Sequence, residues 1–363
     1  MPRKSTASME DAFLQTILEN PDDDTPRLVF ADWLEEQGNP RGTFIRLQCQ
    51  RAKMTQYDAG WKETLAQEAA LLRQFETEWS KPVLRLVDEV HYRRGFIEHV
   101  RVSATKLLNN AGRLFRVAPI YSIRMTRADR LPEIAAAPWL ARVRELDLSH
   151  NSLGSRSLQA LLESEHCRSL RLLRLDHCGL AMSSVRVVAG SVSLQGLQSL
   201  SVSSNGLGVE GAGILAGSPN LSGLRELDLH DNQLLTAGAI ALAAAVHFQL
   251  TRLSIGNNAF RSGGVQAIAG SPLCSALQYL DLQNNFVNNI GVQALVDSPY
   301  LRRLECLNLY RNEVGSRGVQ LLTDSALLAN LIYLNLRNNE IDKPTLATLP
   351  KRLQTPKMRE LLF

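Results

Sequence analysis

Three groups of residues have types and spacings that could support chemistry. Residues 206–211 spell Gly-x-Gly-x-x-Gly, a turn that can bring backbone amides close to the pyrophosphate of a dinucleotide. His150 and His177, with Asp176 beside the second imidazole, could hold a metal ion or exchange protons as acid and base. Residues 22–24 are three consecutive aspartates, whose carboxylates could bind a hard cation.

Two of these groups lie inside a sequence that repeats itself from Val143 onward. Eight copies begin at residues 143, 170, 197, 224, 250, 277, 304 and 331, so every interval is 27 residues except one of 26 (250 − 224). A fixed period of this length over eight copies predicts a solenoid, in which neighbouring units must bury one another's apolar residues.

Each copy approximates Leu-x-x-Leu-x-Leu-x-x-Asn, and its alternation of apolar and polar residues predicts a short strand with one buried face. Stacked copies bring the ninth positions together as a ladder of buried carboxamides that satisfy backbone groups where the chain leaves the strand. The ladder residues are Asn151, Asn205, Asn232, Asn258, Asn285, Asn312 and Asn339. Cys178 takes this place in the second copy, and because a thiol is a weak hydrogen-bonding group we expect a looser turn there.

The second half of each copy predicts a helix. Apolar residues such as Val292 and Leu295 recur at helical spacing, and Ser-Pro pairs such as Ser271-Pro272 end the segment. A column of glycines marks the helix start, where we expect glycine to ease a tight backbone turn. Its members are Gly211, Gly238, Gly264, Gly291 and Gly318.

This pattern closely resembles the leucine-rich repeats of the ribonuclease-inhibitor-like group. The resemblance implies an α/β horseshoe solenoid with a parallel sheet on its concave side, helices on its convex side, and recognition of proteins by the concave sheet. Residues 91–142 are expected to cap the array, with one strand after Gly95 and a degenerate unit carrying Ile120, Ile123 and Met125. The repeats occupy residues 143–357, and residues 358–363 form a tail that covers the last unit.

Residues 1–55 predict a small all-helical domain. Apolar faces recur at helical spacing at Ile17 in a first helix and at Ala31 and Leu34 in a second, and a third helix is predicted from Thr43 to Lys53. The string PDDDTPRLVFADWLEEQGNPRGTFIRLQ from Pro21 resembles the short repeat-companion domain that precedes leucine-rich repeats in many planctomycete proteins. The resemblance implies a bacterial cytoplasmic setting but no established activity. Residues 56–90 are predicted to form a helical linker.

Structural roles explain most of the candidate site residues without a catalytic or binding function. The glycines of residues 206–211 fall in repeat columns, so we expect no dinucleotide and no other cofactor. The aspartates of residues 22–24 precede a helix, where carboxylates are favoured, and we expect them to pair with Arg27, Arg41 or Arg46. His150 and His177 share a column, which places their rings about 5 Å apart and leaves them, with Asp176, as a weak metal candidate.

Residues 91–130 carry nine Lys or Arg against Glu98 and Asp129, a basic segment that either touches nucleic acid or forms a solvated cap. The five cysteines are scattered and contain no C-x-x-C pair, so neither a disulfide framework nor a zinc module is expected. The sequence contains no long apolar stretch and no secretory leader, which predicts a cytoplasmic protein away from membranes.

The outward positions of the last strands carry residue types that dominate binding interfaces. They are Tyr279, Tyr310, Arg311, Tyr333 and Arg337. We therefore predict a non-catalytic scaffold, a monomer that recognises a protein partner through these residues; the tyrosines could instead pack on one another as an uncommitted face. The alternatives are a regulatory or enzymatic module at the His/Asp end of the sheet, and nucleic-acid binding through the basic segment.

Overall fold

The computed structural model describes residues 6–353 and 358–362, which fall into two compact units, Met1–Leu146 and Asp147–Phe363. Residues 354–357, at the end of the predicted repeat array, and residue 363 of the predicted tail lie outside the described residues. Among the helices of the described residues, none has both the length and the apolar character needed to cross a membrane.

The first unit begins with four helices and continues with three strands and two further helices. The helices are α1 (Thr6–Glu19), α2 (Thr25–Glu36), α3 (Arg41–Arg51), α4 (Trp61–Leu84), α5 (Ala104–Val117) and α6 (Leu131–Ala135). The strands are β1 (Glu89–Arg93), β2 (Phe96–Val102) and β3 (Ser122–Met125). The chain then forms a short 3₁₀ helix at Pro138–Arg142 and enters β4 (Glu145–Asp147), which spans the boundary between the units.

The predicted helical faces of the N-terminal segment share their core with a strand. Ile17, Ala31 and Leu34 are buried in one cluster with Phe96 from β2. The linker predicted for residues 56–90 contains α4 and the first residues of β1, which pairs antiparallel with β2 through a tight turn at Arg94 and Gly95. Both turn residues have positive φ, +48° and +86°, a conformation that glycine adopts at little cost.

The second unit alternates strands and helices with the period of the sequence. Its further strands are β5 (Leu172–Arg174), β6 (Ser199–Ser201), β7 (Glu226–Asp228), β8 (Arg252–Ser254), β9 (Tyr279–Asp281), β10 (Cys306–Asn308), β11 (Tyr333–Asn335) and β12 (Glu360–Leu362). Its helices are α7 (Ser155–Leu162), α8 (Met182–Gly190), α9 (Gly208–Ala216), α10 (Leu235–Ala243), α11 (Arg261–Ala269), α12 (Asn289–Val296), α13 (Ser316–Thr323) and α14 (Lys343–Leu353). Short 3₁₀ helices lie between several helices and the next strand, at Glu165–Ser169, Val192–Leu194, Pro219–Leu221, Pro272–Ala276 and Leu328–Asn330.

The strands from β5 to β12 form a parallel sheet in which each pairs with its sequence neighbours in register. The repeat leucines point into one shared core; Leu280 and Leu282, for example, have no exposed surface. The predicted α/β repeat solenoid is confirmed.

Asn258 illustrates how the ladder asparagines hold the turns. Its side-chain Nδ2 donates to the carbonyl of Leu229 in the preceding copy and to two carbonyls of its own turn. Its Oδ1 accepts from the backbone amides of Asn232 and Leu234, at 2.9 and 3.2 Å. One carboxamide therefore satisfies backbone groups of two neighbouring copies.

Cys178 does not loosen the turn of its own copy, contrary to the sequence-based expectation. The amides of Cys178 and Leu180 still donate to Asn205 Oδ1, and Cys178 Sγ donates to the carbonyl of Leu148 at 3.3 Å. The substitution instead affects the first copy, because a thiol has no Oδ1 to accept from the amide of Leu153. Within the described residues that amide has no hydrogen-bond partner.

The glycine column has a different cause from the one expected. Its members have ordinary helical φ values rather than the positive values of a tight turn. A Cβ on Gly264 would lie 2.9 Å from Cβ of Phe260, and one on Gly291 would lie 2.6 Å from Val287 Cγ1. The column therefore exists because the apolar residue four positions earlier packs against the bare backbone of the helix.

Candidate binding surfaces

The residue before each ladder position has a left-handed backbone in all eight copies. Its φ lies between +50° and +63° throughout. The residues are His150, His177, Ser204, Asp231, Asn257, Asn284, Arg311 and Asn338. Asn, Asp and His tolerate this conformation better than most other side chains. The backbone thus accounts for why imidazole, carboxylate and carboxamide groups line one edge of the sheet, without any catalytic requirement.

His150 and His177 stack face to face, with ring centroids 4.7 Å apart and ring planes 11° from parallel. Stacked rings direct their in-plane nitrogen lone pairs side by side, whereas metal coordination needs lone pairs that converge on one point. Asp176 is engaged elsewhere, since its carboxylate accepts from Ser201 Oγ and from the Ser203 amide. Within the described residues, no group of three or more His, Cys, Asp or Glu side chains is placed to hold a metal ion.

The glycines of residues 206–211 have structural roles that belong to the repeat. Gly206 and Gly208 have positive φ, but Gln233 and Leu235 adopt the same conformation at the equivalent positions of the next copy. The amide of Gly208 donates to the carbonyl of Asn232 rather than pointing to solvent. Gly211 belongs to the packed glycine column, where an added Cβ would lie 2.7 Å from Leu207 Cβ.

The predicted partner-binding residues come together on three neighbouring copies. Tyr279, Cys306 and Tyr333 are in direct register on β9, β10 and β11, and adjacent strands lie about 4.8 Å apart. Tyr310 follows β10, and its hydroxyl accepts a hydrogen bond from Asn338 Nδ2 at 3.0 Å. The name tyrosine patch is used below for Tyr279, Tyr310, Arg311, Tyr333 and Arg337.

The exposure of the tyrosine patch is uneven. The three tyrosines are half-buried, whereas Arg311 and Arg337 are exposed. The Arg252 guanidinium lies over the Tyr279 ring, 4.0 Å from its centroid, a cation–π contact that orders the ring. Burial raises the pKa of Tyr279 to about 12, so its hydroxyl stays neutral at physiological pH. Arg252 was missed as a member of this surface, although it occupies the Tyr279 column one copy earlier.

Two aspartates with little solvent exposure, Asp228 on β7 and Asp281 on β9, lie on the same strand face. Asp281 is 7% exposed, and its Oδ1 accepts from the amide of Gln283 at 2.8 Å. Burial raises the pKa of Asp281, and burial likewise raises the pKa of Asp228. The face therefore combines half-buried aromatic rings, exposed guanidinium groups and acidic groups whose ionisation is disfavoured.

The aspartates of residues 22–24 are paired, but mostly not with the arginines expected. Asp24 pairs with Lys53 at 3.3 Å and with Arg94 at 3.5 Å, and Asp22 pairs with Arg144. Of the three arginines predicted, Arg27 binds only a backbone carbonyl of this run, that of Asp23, while Arg41 and Arg46 make no ion pair with it among the described residues.

Much of the basic segment is neutralised by neighbouring carboxylates. At least five of its nine cationic side chains form ion pairs within the described part of the first unit. The pairs are Arg93 with Glu145, Arg94 with Asp24 and Glu98, Arg101 with Glu89, Lys106 with Asp88, and Arg130 with Glu133. A surface for nucleic acid would need these charges for phosphate groups.

Comparison with known families agrees with the fold. The leucine-rich repeat family matches residues 143–162, 194–216 and 222–243, so the protein contains leucine-rich repeats. No curated protein matches the chain in sequence.

Solved structures that are similar to this chain include an internalin, inlF, from Listeria monocytogenes, with 19% identity over 72% of this chain and 78% of that chain and a TM-score of 0.39. A TLR13–ssRNA13 complex has 16% identity over 61% of this chain and 36% of that chain, with a TM-score of 0.40. A chain of the Rad7 and Elc1 complex in yeast has 15% identity over 98% of this chain and 92% of that chain, with a TM-score of 0.50. At 15% identity, the likeness to the chain of the Rad7 and Elc1 complex describes the fold alone.

Proposed function

We propose that the protein is a non-catalytic scaffold that binds a protein partner on the exposed strand face of its second unit, with the tyrosine patch as the main contact. Leucine-rich-repeat folds generally mediate binding to proteins or other ligands. The observation that carries the proposal is the alignment of Tyr279 on β9 and Tyr333 on β11 in one register, on either side of Cys306 on β10, together with exposed Arg337. Tyrosine and arginine supply most hot-spot energy in protein interfaces.

The rigidity of the sheet supports this function. Each strand is fixed to its neighbours by backbone hydrogen bonds, and each turn is fixed by a ladder carboxamide. A surface that is already ordered loses little conformational entropy when a partner covers it. The half-buried tyrosines need only small movements to bind, because Arg252 and Asn338 already restrain two of them.

The remaining parts of the proposal concern setting and organisation. We propose that residues 1–55 form a repeat-companion segment, that residues 91–142 cap a ribonuclease-inhibitor-like array, and that the protein acts as a monomer in a bacterial cytoplasm. All five cysteines are free thiols, which suits a reducing compartment. The ion pairs of the basic segment favour a protein partner over nucleic acid.

Affinity capture from a lysate of the cells that make the protein tests this function. The bait variants are the wild-type chain, a triple variant (Tyr279→Ala, Tyr310→Ala, Tyr333→Ala), and a control triple variant (Val209→Ala, Ile240→Ala, Ile290→Ala) that changes exposed residues on helices or their first turns. We expect one protein to be retained by the wild-type and control chains and lost with the tyrosine variant. If all three chains fold and retain the same protein equally, the tyrosine patch is not the binding site.

A further inference from the structure

A cleft of about 350 Å³ opens within the first unit. Its floor and walls are formed by apolar side chains from α2, β2 and α4, including Phe30, Phe96, Trp79 and Val83. Phe30, Phe96 and Val83 are almost fully buried, so the cleft reaches the core. Binding sites for small molecules commonly have about this volume and this apolar lining.

The guanidinium of Arg41 also lines this cleft. It lies against the Phe96 ring, 5.4 Å from the centroid, and it forms no ion pair or side-chain hydrogen bond among the described residues. Glu10, which also lines the cleft, is close enough to interact electrostatically with Arg41 but forms no ion pair with it. Arg41 is therefore a partly buried cation whose guanidinium, which carries five N–H donors, has no side-chain partner among the described residues.

The two ends of that guanidinium differ in their surroundings. Its Nε is fully enclosed and has no hydrogen-bond partner. The terminal nitrogens also lack protein partners but are not enclosed, so they face the open space of the cleft. The hydroxyl of Tyr92, close enough to interact electrostatically with Arg41, is buried and unpartnered as well. A ligand in the cleft would therefore meet only the terminal nitrogens of Arg41, because Nε is enclosed and Tyr92 does not line the cleft.

We propose that this cleft binds a small carboxylic acid, with its carboxylate on Arg41 and an apolar, aromatic-sized body against Phe30, Phe96 and Trp79. A planar carboxylate accepts two parallel N–H bonds from a guanidinium, a geometry that other anions match less well. Apolar side chains line the cleft beside Arg41, which suits an organic acid with an apolar body better than a small inorganic anion.

The charged residues at the opening of the cleft indicate which kind of carboxylic acid it would accept. Glu10, Asp11 and Arg116 line the rim and are exposed. The two rim carboxylates repel a second negative charge and attract an ammonium group. The site therefore favours a monoanion over a dicarboxylate, and it accepts a zwitterion such as an apolar amino acid.

Calorimetric titration of the full chain with 3-phenylpropionate and its neutral analogue 3-phenylpropionamide tests the proposal without any variant. The two probes share one apolar body and differ in charge, so the comparison isolates the guanidinium. We expect the acid to bind at least about tenfold more tightly, because hydrogen bonds to a charged group are the stronger ones. Equal affinity of the two probes, or no binding of either at millimolar concentration, would overturn the proposal.

Two variants locate the site. Arg41→Gln should reduce binding of the acid to that of the amide, whereas Arg113→Gln, an exposed arginine on α5 that does not line the cleft, should leave both unchanged. If Arg41→Gln does not fold, Ala118→Leu fills the opposite wall without touching the charge and should weaken both probes together. Unchanged binding in a folded Arg41→Gln or Ala118→Leu chain would place the ligand elsewhere.

Discussion

Arg27 on α2 and Glu98 on β2 form an ion pair in which both side chains are fully buried. The second oxygen of Glu98 accepts from the Tyr121 hydroxyl at 2.6 Å and lies 3.5 Å from the Arg94 guanidinium. Arg27 also donates to the carbonyl of Asp23 at 3.0 Å. A buried charge is tolerated only when it is paired and hydrogen-bonded, so this pair links the N-terminal helices to the strands of the first unit.

Removing one partner of this pair should destabilise the first unit strongly. Glu98→Leu leaves Arg27 as an uncompensated buried charge, at a cost of about 3–5 kcal/mol in the free energy of unfolding. Arg27→Met leaves Glu98 with only the more distant Arg94 and should cost somewhat less. The double variant removes both charges, so its loss in the free energy of unfolding should be much smaller than the sum of the losses in the two single variants. Urea unfolding followed by tryptophan fluorescence measures this, because all four tryptophans, Trp33, Trp61, Trp79 and Trp139, lie in the first unit. Additive costs in the double variant would contradict the pairing.

Changes to the carboxamide ladder should alter stability in opposite directions at two positions. Asn258→Ala leaves several buried backbone groups without partners and should cost about 3 kcal/mol. Cys178→Asn supplies the acceptor that the Leu153 amide lacks, and should gain about 1 kcal/mol. Urea unfolding followed by circular dichroism compares the two variants with wild type. A loss of stability in Cys178→Asn would mean that the thiol fits its site better than a carboxamide.

Two glycines in helices should respond differently to alanine. Gly264→Ala places a Cβ 2.9 Å from Phe260 Cβ and 3.0 Å from Ala239 Cβ, and such overpacking should cost about 1–3 kcal/mol. Gly190→Ala meets no atom within 4 Å and should be neutral or slightly stabilising, since alanine is the better helix former. Thermal unfolding of the two variants tests this contrast, and similar midpoints would contradict the packing explanation of the glycine column.

Asp281 should make stability depend on pH. Burial raises its pKa in the folded protein above the unfolded value, so the folded state favours the protonated carboxyl. Its contribution to stability is therefore fullest at acidic pH and is lost as the pH rises through the raised pKa. Asp281→Asn keeps the acceptor for the Gln283 amide but cannot ionise. The free energy of unfolding of this variant should exceed that of wild type at pH 7, and the difference should disappear below pH 4. An equal difference at both pH values would mean that ionisation of Asp281 is not its cause.

Local sequence patterns predicted the repeated part of the fold because they are repeated eight times. Alternation placed Leu280 and Leu282 in the core, and the ninth position placed Asn258 in its turn. The glycine column was found for the wrong reason, since the sequence does not reveal that Phe260 approaches the backbone of Gly264. Periodicity identifies a column, whereas the contact that requires it depends on distances in the fold.

The first unit could be predicted less well because its main contacts join distant residues. Arg27 and Glu98 are 71 positions apart, and nothing local distinguishes Arg27 from the exposed Arg46. Arg41 was expected to pair with the aspartate run, yet it lies in a cleft that several elements build together. Strand β1 was missed because its hairpin turn, Arg94-Gly95, lacks the usual Asn-Gly or Asp-Gly signal.

The most direct test of the binding function is the dissociation constant of the captured protein for three chains: wild type, Tyr333→Ala and Ile240→Ala. Tyr333 lies on the strand face, and Ile240 is an exposed residue of α10 that serves as the control. If the tyrosine patch holds the partner, Tyr333→Ala weakens binding by about 30-fold, the loss of a typical hot spot, and Ile240→Ala leaves it unchanged. Wild-type affinity in Tyr333→Ala, together with a loss in Ile240→Ala, would contradict the account and place the partner on the helices.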